Sequence, residues 1–156
     1  MKTRFAVTPP PSVLTEDEFP AFLERSEQLG FDALWLSDIP LGPLGDPLVA
    51  LAFAAGATSR LKLGANVVPL GRNPLWVAKQ IAQIDRLSKG RVLISFVPGL
   101  GQPGERAALG LLKRDRGKRL ETMMDLLRRW WAGEAVTATF GEFHFEEVRV
   151  EPRPMQ

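Results

Sequence analysis

The sequence predicts an α/β fold of successive parallel βα units, and two observations carry that prediction. Four strand-like runs, Thr3 to Thr8, Asp32 to Ser37, Leu61 to Pro69 and Arg91 to Val97, recur along the chain, and each after the first follows a segment with helical periodicity. A strand, its crossover helix and the next parallel strand occupy roughly thirty residues, which is the interval between these runs. Eight such units close a (β/α)8 TIM barrel of about 250 residues, whereas this sequence has 156 residues and four units. The expectation is the N-terminal half of a TIM barrel: four parallel strands with their helices, then a C-terminal β-hairpin. Residues 1–156 form a single domain in this reading, stopping before the fifth strand.

Composition agrees with a packed globular domain. Hydrophobic residues make up 45% and charged residues 24%, ordinary values for a chain that buries a core. The net charge of +2 is too small to favour nucleic acid as a partner. With no cysteine, neither disulfides nor thiolate metal sites can form. Met1-Lys2-Thr3-Arg4 runs directly into a strand without an apolar leader, and no segment approaches the ~20 apolar residues of a membrane span. A cytoplasmic protein without membrane contact is expected.

Each element has its own local reason. Strand one leads into Thr8-Pro9-Pro10-Pro11-Ser12, whose prolines carry no N–H, so the glycine-rich phosphate cradle of a dinucleotide-binding fold is excluded there. The same stretch, lacking an acidic cluster, disfavours a flavodoxin-like or receiver domain. A helix starts near Thr15, capped by Thr15 with Glu18 or by Asp17, and Phe19, Phe22, Leu23, Ser26 and Leu29 form its inward face up to Gly30. After strand two, Asp46-Pro47 caps and opens a helix that is apolar nearly all round. Such a helix needs cover on two sides, the sheet and a further surface such as another subunit.

Asn73-Pro74 opens the third helix, with Ala78, Ile81, Ile84 and Leu87 inward, and Lys89-Gly90-Arg91 closes it. Strand four, Val92 to Val97, is apolar with little alternation, as befits a strand covered on both faces. A loop with three glycines, Pro98 to Gly104, precedes a long helix from about Asp115 to Trp131, with Leu120, Met123, Met124, Leu127 and Trp131 on its apolar side. Alternation around Gly141-Glu142 predicts a hairpin from Ala135 to Val150.

Few residues carry an obvious chemistry. The only histidine, His144, sits in the hairpin without an orienting partner and reads as a solvated strand residue. Asp38, at the end of strand two, occupies the end of a barrel strand where active sites collect. It is the candidate catalytic carboxylate, or else a loop cap. Glu121 is expected to pair with Arg116, Lys118 or another base, and the run Lys113 to Arg119 to be a solvated basic face.

Taken together, the segments resemble the bacterial-luciferase-like family of flavin-dependent monooxygenases and oxidoreductases. The resemblance rests on Gly30 to Asp38, Asp46 to Ala50, Gly56 to Gly64, Asn73-Pro74, Leu87 to Arg91, Gly110, Arg119, Glu121, Phe140 to Glu142 and the closing Pro152, Pro154 and Gln156. It implies an enzyme in which reduced FMN, or a deazaflavin coenzyme, activates oxygen or transfers hydride to a small organic substrate at the C-terminal mouth of the barrel. Ala65-Asn66 then matches a bulge with a cis peptide under the flavin ring, and Val97 and Gly99 match the flavin-facing end of strand four.

The helices over 46–58 and 73–88 match the family's homodimer surface. Two departures are Ile39, where the family commonly has histidine, and Pro98, where some members carry a basic residue. A half-barrel should bind flavin poorly by itself and leave barrel-lining side chains such as Trp35 and Phe96 partly uncovered. An inactive, self-associating half-barrel is the alternative reading.

Overall fold

The computed structural model describes residues 3–111 and 116–156. Four parallel strands, β1 (Ala6–Val7), β2 (Ala33–Ser37), β3 (Lys62–Val67) and β4 (Val92–Phe96), form one sheet in the order β1-β2-β3-β4. Between them run α1 (Glu18–Gln28), α2 (Pro47–Ala57) and α3 (Pro74–Leu87). A short α4 (Glu105–Ala108) and a long α5 (Arg116–Trp131) follow β4, and β5 (Val136–Phe140) pairs antiparallel with β6 (Phe143–Val148). Sequential order with helices between neighbouring strands is the arrangement of consecutive units in a (β/α)8 barrel.

The predicted caps form. Asp46 accepts the N–H groups of Leu48 and Val49 and is followed by Pro47, and Asn73 accepts that of Leu75 ahead of α3. Helix α1 begins at Glu18, whose N–H bonds Thr15 Oγ1 at 3.3 Å, so Pro20 falls in the first turn, where its missing N–H costs nothing.

Register assigns the two faces of the sheet. Leu34, Leu36, Leu63, Ala65 and Val67 are buried against Leu51, Ala54, Ala78 and Ile81 of the helices. The alternate residues Trp35, Ser37, Gly64 and Asn66 must point to the opposite, inner face. By the same register Phe96 pairs with Val67 and packs near Ile81, Met124 and Trp131. It therefore faces the helices, contrary to the expectation that it lines the barrel, and Leu93 takes the inner position beside Gly64.

Two polar clamps hold the N-terminal ends of the strands. The Arg91 guanidinium donates to the carbonyls of Ala55, Thr58, Leu61 and Ser88 and to Thr58 Oγ1. Glu27 accepts the successive N–H groups of Ser59, Arg60 and Leu61. At the other flank Trp130 is fully buried, donating to Val148 O at 3.0 Å with its ring edge-on to Phe145, which fastens the hairpin to α5.

Other expectations are corrected. Strand one pairs only at Ala6 and Val7, and just before it Phe5 donates its N–H to the Asp32 side chain while its carbonyl accepts the N–H groups of Asp32 and Ala33. Leu29 and Leu87 are exposed at the ends of their helices. The buried stripe of α5 is Met123, Leu126, Leu127 and Trp130, rotated by about one residue from the predicted one, because the hairpin draws Trp130 inward. No bulge interrupts β3 at Ala65-Asn66, and that peptide is trans, since both residues sit in unbroken ladders to β2 and β4. Glu121 joins no ion pair among the described residues, and Arg116 bonds backbone carbonyls instead. Lys113 to Asp115 lie outside the described residues.

Candidate functional site

The C-terminal ends of β2, β3 and β4 bring together a row of polar groups on the inner side of the sheet. Ser37, Asn66 and Ser95 are aligned in register across the three strands, all half-buried. None of their side chains makes a hydrogen bond within the described residues, so a row of donors and acceptors stands unspent. One step below, the Trp35 ring lies across Gly64, where any side chain would collide with the indole. A flat aromatic surface beneath a polar row results.

Asp38 stands just beyond this row, 9% exposed. Its Oδ2 accepts the Val68 N–H at 3.0 Å and Arg72 Nη2 at 2.9 Å, and Arg72 Nη1 reaches Asp46 Oδ2 at 2.7 Å. Burial pushes the Asp38 carboxyl up from its ordinary 3.8, while Arg72 and the Val68 N–H pull part of that shift back. Burial alone would lower Arg72, but the Asp46 hydrogen bond and the two carboxylate charges leave it above its ordinary value. The three residues tie the loop after β2 to the loop after β3 and line a cavity of about 290 Å³ with Ile39, Gly71 and Leu109.

The remaining candidates separate. Asn66 faces the inner side, whereas the Ala65 methyl is fully buried among the helices, so Ala65 can reach a ligand only through its peptide. Val97 extends β4, its N–H on Val67 O at 2.9 Å, and is half-buried. Gly99 has φ +86, and a side chain there would strike Glu105 Oε1. His144 is exposed on β6 beside Thr139 and far along the chain from these strand ends, as expected. No cluster of three or more potential metal ligands exists among the described residues.

A sequence profile of luciferase-like monooxygenases matches residues 3–156. The chain belongs to this luciferase-like family. It is 33% identical over 137 residues to limonene 1,2-monooxygenase of Rhodococcus erythropolis, covering 85% of this chain and 35% of that protein. It is 31% identical over 150 residues to F420-dependent hydroxymycolic acid dehydrogenase of Mycobacterium tuberculosis, covering 88% of this chain and 41% of that one.

The crystal structure of a Streptomyces bottropensis monooxygenase superposes with a TM-score of 0.83 at 25% identity, over 99% of this chain and 50% of that protein. The chain thus spans between about a third and a half of the length of these relatives. Family members include enzymes named for dependence on FMNH2 and on F420.

Sequence reasoning missed Arg72 and the Ser37–Asn66–Ser95 row. Alternation within each strand could have put Ser37 and Asn66 on one face. Only the inter-strand register adds Ser95, and only the folded loops bring Arg72 to Asp38, 34 positions away.

Proposed function

We propose that this chain forms the flavin-facing N-terminal half of a luciferase-like oxidoreductase, a single half-barrel domain over residues 1–156. The unspent row Ser37–Asn66–Ser95 above Trp35 carries the reading. A flat ring system with a polar edge fits a face that has an aromatic floor, a strand glycine and free hydrogen-bonding side chains. Reduced FMN or a deazaflavin is the cofactor of that description, and relatives named for FMNH2 and for F420 support both forms. Bound there, it would supply oxygen activation or hydride transfer toward a small organic substrate.

This chain's residues bind and orient. Asn66 and the serines engage the polar ring edge, the Ala65 peptide, Val97 and Gly99 border it, and Asp38 with Arg72 holds the adjacent loops so that the mouth keeps its shape. Asp38 acts in this reading as a positioning residue. The protein works in the cytoplasm. Fluorescence titration of FMN into the chain tests the reading: saturable quenching that weakens in Asn66→Leu supports it, and quenching that Asn66→Leu leaves unchanged contradicts it.

A second reading is favoured by the outer surface. Val49, Trp76 and Leu87 are 54–71% exposed on α2 and α3 and line a groove of about 400 Å³. A homodimer through the helices over 46–58 and 73–88 would cover this face. In an inactive half-barrel the same face would serve self-association alone, and sedimentation of the chain with and without FMN separates the two roles.

A further inference from the structure

The N-terminal ends of the strands, opposite the Ser37–Asn66–Ser95 row, border a cavity of about 410 Å³ that the flavin reading does not use. Arg4, Arg60 and Lys62 line it together with the acids Glu27 and Asp32. Both acids are spent on the backbone. Glu27 Oε1 accepts the N–H groups of Ser59, Arg60 and Leu61 at 2.6–3.0 Å, its Oε2 accepts the Ser59 hydroxyl, and Asp32 Oδ2 accepts the Phe5 N–H at 2.9 Å.

The cations are left freer. Among the described residues none of the three comes within ion-pair distance of a carboxylate. Arg60 commits only Nη2, to the Glu27 carbonyl, Lys62 Nζ makes a long 3.4 Å contact with Gly90 O, and the Arg4 side chain makes no hydrogen bond among the described residues. Arg91 adds a further positive charge at this end, close enough for its guanidinium to feel the Glu27 carboxylate. Four cations thus face two carboxylates. Like charges gathered at one end repel each other, and a bound anion removes that cost. Guanidinium groups also present paired donors that match phosphate oxygens.

The cavity has room for such a ligand. A Cβ built on Gly30, in its wall, would meet nothing within 4 Å. Its volume is well above the ~30 Å³ share of one water, and Phe31 gives it an apolar side, so an organic body fits beside the anion.

We propose that Arg4, Arg60 and Lys62 form a binding site for a phosphate-type oxyanion at the N-terminal end of β1 to β3. Lys62 precedes Asn66 by four residues on β3, about 13 Å along the strand at ~3.3 Å per residue. The site is therefore separate from the flavin face and does not rest on that reading. Its ligand is either free inorganic phosphate or a small phosphomonoester.

Inorganic phosphate is the probe, added at constant ionic strength while the amide signals of Gly30, Arg60 and Lys62 are followed by NMR. Saturable shifts there are expected, with affinity weakened about tenfold or more in Arg4→Gln and in Lys62→Gln and retained in Lys62→Arg. Because the Arg4 side chain makes no hydrogen bond or ion pair among the described residues, Arg4→Gln removes a charge and leaves the fold intact. Signals of Ser37, Asn66 and Ser95 should stay still and no flavin is present, so failure here is distinct from failure of the flavin reading. Absence of saturation, the same shifts with chloride, or equal affinity in both glutamine variants overturns the site. Phenyl phosphate identifies the source: tighter binding than that of inorganic phosphate assigns a phosphomonoester, and equal or weaker binding assigns the free ion.

Discussion

Arg72 Nη2 lies 2.9 Å from Asp38 Oδ2, and this contact makes one unit of the loops after β2 and β3. The carboxylate is nearly buried while the guanidinium is 27% exposed and shared with Asp46. Removing Arg72 strands a buried charge, which in fully buried pairs costs ~3–5 kcal/mol. Because solvent reaches Arg72, Arg72→Ala should cost less, about 2 kcal/mol. Urea denaturation measures it, and Asp38→Asn in the Arg72→Ala background should recover part of the loss.

Gly64 is a strand glycine only because Trp35 occupies its side-chain space. In an open strand, replacing glycine with alanine would gain ~0.5–1 kcal/mol from backbone entropy. Here the added methyl overlaps Trp35 Cε3 and lies 2.9 Å from Cδ2, and overpacking of that kind costs ~1–3 kcal/mol. The clash wins: Gly64→Ala should lower stability and shift the tryptophan fluorescence as the indole is displaced.

Acid should loosen the N-terminal end of the sheet through Glu27. Burial would raise this carboxyl, but the N–H groups of Arg60, Leu61 and Ser59 outweigh that and hold it below its ordinary 4.5. Its folded value is the lower one. The stability it contributes is therefore fully present above about pH 4.5 and is lost as pH falls through the depressed folded value. Denaturation followed across this window should show the loss, and Glu27→Gln should flatten it.

Self-association should proceed through the outer face of α2 and α3. Val49 is 71% exposed, so Val49→Lys leaves the fold intact while placing a charge in the apolar groove. Sedimentation velocity should show a dimer for the native chain and a monomer for Val49→Lys.

Strand rhythm, helix caps and family were legible because each is written in local pattern: alternation, Asp46-Pro47, Asn73-Pro74 and motif spacing. The two-sided apolarity of α2 likewise announced the exposed face that the structure bears. What escaped was non-local. The face of Phe96 depends on its register with Val67, the stripe of α5 depends on where the hairpin docks Trp130, and the partner of Asp38 comes from the far side of a helix and two loops. The short α4 was hidden by the glycines around it, since four residues give no period to read.

Amide chemical shifts of the chain titrated with FMN test the central claim most directly, because they register even the weak binding expected of a half-barrel. Shifts should concentrate at Ser37, Asn66, Ser95, Val97 and Gly99, at the C-terminal ends of β2 to β4. Shifts centred on the outer helices, or none as FMN approaches its solubility limit, would contradict a flavin-facing inner surface.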